Sequence, residues 1–372
     1  MEQSKFHKNF QLNGVSFANV DEILAYSKDF STEILHFLET WFSIEESITV
    51  QTSGSTGIPK SIQLQKELMK NSAKATGEFF QIKENTTALL CLPIQYIAGK
   101  MMLIRAITLG WQIDVIEPNS NPLESVNAAY DFSAMVPLQL ENSLPKIGLI
   151  KKLIVGGGVV SNALKEKLQH TSTEIFATYG MTETITHIAV KKLNNFSNVI
   201  SSEVEKSLFY LGKFYQTLPN VIIYKDQRNC LVIDAPKVSE ELVVTNDVVQ
   251  LISDTQFEWL GRYDNVINSG GIKLHPEKIE VKLSEIILNR FFVTGIKDEK
   301  LGEKLILIIE QKDKGIENVI SSEVEKSLYD KIKNLDVLSK FEIPKEIHFI
   351  NQFVETETGK IQRLKTITLL NK

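Results

Sequence analysis

Nine residues, Thr52-Ser53-Gly54-Ser55-Thr56-Gly57-Ile58-Pro59-Lys60, bring four hydroxyls, two glycines and one lysine into a single segment. Glycines admit dihedrals that a Cβ forbids and let the main chain approach a ligand closely. Hydroxyls and successive N–H groups donate hydrogen bonds, and the lysine adds charge. The chemistry this combination suits is a polyphosphate grip. The spacing from Gly54 to Lys60-Ser61 fits a Walker A loop, but Pro59 stands where that loop has its second glycine. Proline has no N–H and a fixed φ, so the segment is a nucleotide-phosphate loop of another kind. Standing alone, it would read as a Ser/Gly-rich surface turn.

Other segments carry polar chemistry further along. Tyr179-Gly180-Met181-Thr182-Glu183-Thr184 follows a strand-like run. A threonine and a glutamate at the carboxyl end of a parallel strand can hold a phosphate and a Mg²⁺, although a Tyr-Gly turn capped by threonine is as often structural. Gly156-Gly157-Gly158 lets backbone approach something flat or charged, or is a plain strand–helix turn. Asp247, in Val244-Thr245-Asn246-Asp247-Val248, can accept both hydroxyls of a ribose, and Arg262, in Gly261-Arg262-Tyr263-Asp264, can donate to ribose or phosphate. Surface salt bridging is the alternative for both. Ser269-Gly270-Gly271 followed by His275-Pro276-Glu277 reads as a turn, a short strand and a helix start. Lys360, in Thr358-Gly359-Lys360-Ile361, is by composition one more solvated lysine.

The elements that must position these groups alternate. Helical spacing is expected over 21–43, 66–80, 99–109 and 162–168, and strands at 62–64, 88–92, 112–116, 133–136, 153–155 and 175–178. Such alternation implies mainly parallel sheets covered by helices. From about 219 the pattern changes to short strands and turns (221–224, 230–234, 248–252), a small β-rich subdomain. An α+β segment closes the chain from about 265, with helices near 276–289 and 321–334 and strands at 291–295, 305–310 and 346–350. The undecapeptide Asn198–Leu208 recurs identically as Asn318–Leu328. The flanks of the two copies do not match, so this is not a domain duplication or a solenoid.

The chain has 372 residues, 43% hydrophobic and 23% charged, with a net charge of −5. That is ordinary globular composition with room for two or three domains and no nucleic-acid surface. Cys91 and Cys230 form neither a disulfide framework nor a metal spacing. The polar start, Met1-Glu2-Gln3-Ser4-Lys5, carries no signal-peptide pattern. The apolar runs are strand-length and too short to span a membrane, so a cytoplasmic protein is expected.

Taken in order, the segments at 52–60, 156–158, 179–183, 247, 261–264, 269–280 and 359–360 resemble the adenylate-forming superfamily of acyl-CoA synthetases, adenylation domains and luciferases. They run over most of the chain, and the ordered set is far more specific than any one motif. The resemblance implies an α/β adenylate-forming fold. A large N-terminal domain over 1–262, with helix-covered parallel sheets and the β-rich subdomain, would be followed by a small mobile α+β domain over 263–372. It implies two half-reactions: ATP and a small-molecule carboxylate give an acyl-adenylate and pyrophosphate, then CoA takes the acyl group and AMP leaves. By resemblance, Thr52, Ser53, Gly54, Ser55, Thr56, Gly57 and Lys60 hold the β- and γ-phosphates. Thr182 meets the α-phosphate and Glu183 the Mg²⁺. Gly157, Gly158 and Tyr179 line the adenine slot, and Asp247 and Arg262 take the ribose. Lys360 is the catalytic lysine, and Asp264 the hinge that carries it in and out.

Within the superfamily, Cys91-Leu92-Pro93, Tyr96-Ile97-Ala98-Gly99-Lys100-Met101-Met102, Arg105-Ala106, Thr186-His187-Ile188-Ala189 and Asn265–Gly271 resemble the o-succinylbenzoate–CoA ligase family of menaquinone biosynthesis. An aryl substrate with two carboxylates wants an apolar slot and a second cation or donor. Tyr96, Gly99, Lys100 and His187 are the candidates. Against them, His187 can be a satisfied half-buried histidine and Lys100 a helix-surface residue. Other aryl- or acyl-CoA ligases, and adenylation enzymes that load a carrier protein, share the chemistry, and either a monomer or a homodimer is compatible. Two departures from the superfamily's pattern stand out, one upstream of the phosphate loop and one in the ribose segment. The phosphate loop begins at Thr52, so much of the N-terminal subdomain usual in the superfamily is expected to be missing or condensed. The usual Thr-Gly-Asp reads Thr245-Asn246-Asp247, which keeps the carboxylate.

Overall fold

The computed structural model describes residues 5–51, 61–194, 212, 214–311, 322–355 and 361–370. The phosphate-loop residues Thr52–Lys60 and Lys360 therefore lie outside the described residues, as do the first copy of the repeated undecapeptide and the start of the second.

The N-terminal strands β1 (Gln11–Leu12) and β2 (Val15–Ser16) lead into helices α1 (Val20–Phe30) and α2 (Thr32–Phe42). One helix over 21–43 was the expectation from spacing. The chain instead breaks at Ser31, whose extended backbone (φ −158°) ends α1 and whose hydroxyl accepts from the Ile34 N–H to cap α2. A serine prefers that cap to a helix interior. Strands β3 (Ser47–Gln51) and β4 (Ser61–Gln65) pair antiparallel from Ser47↔Gln65 to Gln51↔Ser61, so both ends of the 52–60 segment are tied together.

The central part then alternates as expected: α3 (Lys66–Phe80), β5 (Thr87–Leu90), α4 (Ile97–Leu109), β6 (Gln112–Val115), β7 (Tyr130–Met135), α5 (Pro137–Ser143), β8 (Ile150–Val155), α6 (Asn162–Leu168) and β9 (Glu174–Gly180). Strands β1, β6, β5, β7, β8 and β9 are mutually parallel neighbours in that order. Their residues alternate between two cores. Ala88, Leu90, Phe132, Ala134 and Ile154 pack on one face, and Leu89, Met135, Leu153 and Val155 on the other. Burial on both faces is why these strands read as continuous apolar runs.

Seven further strands follow in this part of the chain or the next: β10 (His187–Lys192), β11 (Tyr215–Thr217), β12 (Ile222–Lys225), β13 (Cys230–Asp234), β14 (Val243–Leu251), β15 (Gln256–Arg262) and, in a separate sheet, β16 (Ile267–Ser269). The first six of these are antiparallel to their neighbours and extend the parallel strands into one sheet of thirteen, ordered β12-β13-β14-β15-β11-β10-β9-β8-β7-β5-β6-β1-β2. The β-rich part is thus joined to the parallel part by hydrogen bonds through β10.

A second sheet of five strands uses β16, β17 (Ile272–Leu274), β18 (Phe291–Asp298), β19 (Gly302–Glu310) and β20 (Glu346–Ile350). Helices α7 (Pro276–Leu283), α8 (Ser322–Lys333) and α9 (Arg363–Ile367) accompany it. Its core is its own: Leu274, Ile279, Val293, Leu305, Leu307 and Ile347 belong to a cluster drawn entirely from residues beyond 266. Among the described residues, no helix is long and apolar enough to cross a membrane.

Candidate active site

Strand β5 has β6 on one side and β7 on the other, so connections leave it in opposite directions. The crevice beyond the carboxyl ends at such a switch point is where open α/β sheets bind ligands. The segment after β5 carries Tyr96, Gly99 and Lys100. The segment after β8 carries Gly157 and Gly158, and β9 ends at Tyr179-Gly180. All of these expected residues therefore lie at the same end of the sheet.

The tightest polar cluster joins β9, β14 and β15. Asp247 is buried and pairs across the strands with Arg262. The Tyr179 hydroxyl donates to Asp247 Oδ2 at 2.7 Å, and the Trp259 indole Nε1–H to Oδ1 at 3.1 Å. Thr245 Oγ1 accepts from the Asp247 N–H at 3.0 Å. Burial and the Asp247 charge hold the Tyr179 hydroxyl well above the usual phenol range, so it stays a donor. The Tyr179 ring meets Phe257 edge-on at 5.1 Å and lies 5.8 Å from Tyr215. Arg262 Nη1 sits 3.7 Å from Asp247 and Nη2 3.8 Å from Asp264. Those separations are ion pairs without short hydrogen bonds, which leaves the half-exposed guanidinium with donors for another acceptor. Asn246 Nδ2 donates to Asp264 Oδ2 at 3.2 Å. An aromatic face, a fixed carboxylate and an available guanidinium side by side suit a nucleoside with a vicinal diol. Trp259 was not foreseen; an indole three residues before Arg262 on the same strand was the available signal.

Beyond β9 the chain makes a single 3-10 turn, Thr182–Thr184, with Glu183 exposed. Gly180 is needed there: a Cβ would lie 2.1 Å from the Thr186 carbonyl oxygen. Ile185 follows at φ 65°, ψ −61°, with Thr186 N–H donating to Thr184 O at 2.7 Å. This is a γ-turn of the strained hand, costly for a β-branched residue. Burial of Ile185 and two bonds from the Thr184 hydroxyl, to Met181 O and Thr186 O, hold it in place. Strain of this kind gathers at ligand-binding turns. Among the described residues, no three His, Cys, Asp or Glu side chains form a metal cluster. A single exposed carboxylate such as Glu183 is still compatible with Mg²⁺, which keeps waters and takes other ligands from substrate phosphates.

The four candidates for an acyl pocket separate. Tyr96 is exposed at the start of α4. Gly99 has a packing role, because a Cβ there would lie 2.3 Å from the Pro93 carbonyl oxygen. Lys100, expected as a cation for substrate, instead donates to the carbonyls of Ile94 at 2.7 Å and Gln95 at 3.0 Å. Its ammonium ties down the loop after β5 with two of its three N–H donors. His187 is buried, and burial together with Arg105 holds its imidazole well below the usual range, hence neutral.

Arg105 is the group that spacing did not single out. It is buried in the middle of α4, where Met101 to Ile107 are all buried. Its Nε–H donates to Thr76 Oγ1 at 3.3 Å, and Nη2 has no hydrogen-bond partner among the described residues. Burial pushes its guanidinium down to about 9. Thr76 Oγ1 donates to Ser72 O at 3.0 Å and lies 3.4 Å from His187 Nε2. With that hydroxyl proton committed, the contact requires the Nε2–H tautomer of His187. The result is a buried cluster in which Thr76 Oγ1 accepts from Arg105 and His187, with no anion among the three and Arg105 Nη2 left as the unused donor. A cavity of about 180 Å³ lies against His187, lined also by Ser72, Lys74, Ala75, Glu78, Leu218 and Lys237; of the three clustered side chains only His187 reaches it. A larger open depression on α8, lined by Lys326, Asp330 and Lys331, holds none of this chemistry.

Comparisons agree with this architecture. Residues 47–207 match the family model for AMP-binding enzymes. An acyl-CoA synthetase (AMP-forming)/AMP-acid ligase II-like protein from Dyadobacter fermentans is 34% identical, with 91% of this chain and 93% of that chain covered and a TM-score of 0.57. The chain belongs to the AMP-binding family of AMP-forming acyl-CoA synthetases. A 2-succinylbenzoate–CoA ligase from Lactococcus lactis is 25% identical over 366 residues, 89% of this chain and 76% of the relative. The o-succinylbenzoate–CoA synthetase of Bacillus subtilis, solved with ATP and a magnesium ion, shares the fold at a TM-score of 0.69 and 19% identity, over 94% of this chain and 82% of that one.

Proposed function

We propose that this chain is an ATP-dependent acid–thiol ligase that activates o-succinylbenzoate as its acyl-adenylate and passes the acyl group to CoA, a step of menaquinone biosynthesis. Family membership supports the two half-reactions. The observation that carries the substrate reading is Arg105, a buried guanidinium beside Thr76 and His187 that pairs with no carboxylate among the described residues. A ligand with a second carboxylate supplies the missing anion.

In this reading Tyr179, Gly157 and Gly158 line the adenine slot, while Asp247 accepts the ribose hydroxyls and Arg262 donates beside it. Thr182 meets the α-phosphate. The segment Thr52, Ser53, Gly54, Ser55, Thr56, Gly57 and Lys60, tied at its base by Gln51↔Ser61, wraps the β- and γ-phosphates. Glu183 holds Mg²⁺, which neutralises phosphate charge when bound. Lys360 bridges the attacking carboxylate and the α-phosphate, offsetting the repulsion of two anions. It belongs to a C-terminal domain of residues 263–372 that turns about Asp264, so that it leaves before CoA attacks. Tyr96 and Gly99 border the acyl pocket with His187. Lys100 serves the loop, and Arg105 takes the role of the second cation.

A panel of carboxylates tests the substrate. AMP release that requires CoA is expected to favour o-succinylbenzoate over benzoate and medium-chain acids by about 10²-fold or more, the scale of one charge-assisted contact. Equal turnover of all three would remove o-succinylbenzoate. Turnover only with a carrier-protein thiol in place of CoA would replace the acceptor.

A further inference from the structure

The Arg363 guanidinium, at the start of α9, makes several directional contacts beside the second sheet. Nη1 donates to the Val293 carbonyl at 3.0 Å and lies 2.8 Å from Glu280 Oε1, and Nη2 donates to Glu280 Oε2 at 2.9 Å. The guanidinium also lies over the Phe292 ring at 5.5 Å. Glu280 in turn accepts from the Val293 N–H at 2.9 Å. This is a two-pronged arginine–carboxylate pair, the arrangement that fixes orientation as well as charge. Glu277, one turn earlier on α7, is 3.9 Å from Arg363 and accepts from Asn265 Nδ2 at 2.5 Å. Asn265 directly follows Asp264. A line of side chains therefore runs from the proposed hinge, through α7, to the first residue of α9.

The described residues on either side of 356–360 pair with each other. Glu355 bridges Ile361 antiparallel and pairs with Arg290. Gln362 donates from its N–H to Val354 O at 2.8 Å and from its side chain to Glu355 O at 2.9 Å. Arg363 is the next residue. It lies three positions after Lys360, a reach of at most about 10 Å.

We propose that Arg363 is a positioning residue for Lys360: its clamp on Glu280 and Val293, with Glu277 and Asn265 behind it, sets where the lysine is presented. This rests on the reading of Lys360 as the adenylation lysine. Misplacing a reacting group by about 1 Å can cost about 10²-fold in rate, and loss of the fork leaves the base held only by the Glu355↔Ile361 bridge, the Gln362 contacts and the Arg290–Glu355 pair.

The test compares Arg363→Met, Arg363→Lys, Lys360→Ala and the Lys360→Ala/Arg363→Met double variant. The readouts are carboxylate-dependent ATP–pyrophosphate exchange and thioester formation from preformed acyl-adenylate. Arg363→Met is expected to lower the exchange kcat about 10- to 10²-fold with little change in KM for ATP, and to leave the thioester step within about 3-fold. Arg363→Lys, which keeps charge without the fork, should fall between. The double variant should be no slower than Lys360→Ala alone, because residues acting as a unit are not additive. Equal loss in both half-reactions, or additive losses in the double variant, would overturn the proposal. If Lys360→Ala leaves exchange intact, the functional reading fails first. Should Arg363→Met not fold, Glu280→Gln carries the same comparison from the partner side.

Discussion

Replacing Lys360 by alanine is expected to slow acyl-adenylate formation about 10²- to 10³-fold, the scale of losing one charged donor to a developing anion. ATP binding and thioester formation from preformed adenylate should persist. The asymmetry follows from the chemistry. Only the first half-reaction brings a carboxylate against an α-phosphate, so only there does a bridging cation offset repulsion. Single-turnover adenylate formation, beside thioester formation from synthetic adenylate, measures both. Equal losses would make Lys360 a structural residue; no loss in either would remove it from the mechanism.

Replacing Arg105 by methionine is expected to move stability and activity in opposite directions. In the free protein the guanidinium is buried with one bond to Thr76 and an unpartnered Nη2 among the described residues. An uncompensated buried charge is costly, and an apolar side chain of similar length relieves it, so thermal stability should rise by about 1 kcal/mol or more. The kcat/KM for o-succinylbenzoate should fall by about 2–4 kcal/mol, 30- to 10³-fold, as a buried charge pair loses one partner. Benzoate, with one carboxylate, should change little. Thermal unfolding and kcat/KM on both acids give the result. A destabilised variant with an unchanged ratio between the acids would assign Arg105 to packing alone.

Legibility in the sequence followed local physics. Helix α3 (Lys66–Phe80) carries its own periodicity, and its ends matched expectation. So did β13 (Cys230–Asp234) and β20 (Glu346–Ile350), compact runs bounded by turn residues or charge. The break at Ser31 was not visible in spacing, because apolar residues continue on both sides of it. Strand β10 was missed because His187–Lys192 shows no alternation; five of its six residues are buried. It pairs antiparallel with β9, its neighbour in sequence, whereas the pairing of β11 with β15 that ties in the β-rich part is a long-range choice that no local pattern encodes.

The site divides the same way. Tyr179, Asp247 and Arg262 lie far apart in sequence, yet their types and order implied the cluster that β9, β14 and β15 assemble. Lys100 was expected to face substrate, but two carbonyls of its own loop hold it. Arg105 was legible in principle. A lone arginine among Met101-Met102-Leu103-Ile104 and Ala106-Ile107 is a charge in an apolar helix, and a buried charge demands a partner. That demand is what the proposed function builds on, in place of the more conspicuous Lys100.

Carboxylate-dependent exchange of labelled pyrophosphate into ATP, run without CoA, bears most directly on the chemistry. Only a reversible adenylation returns label to ATP before any thiol is present. The account predicts rapid exchange with o-succinylbenzoate, none without a carboxylate, and no ADP. Formation of ADP and phosphate, or no exchange with any carboxylate in the panel, would contradict it.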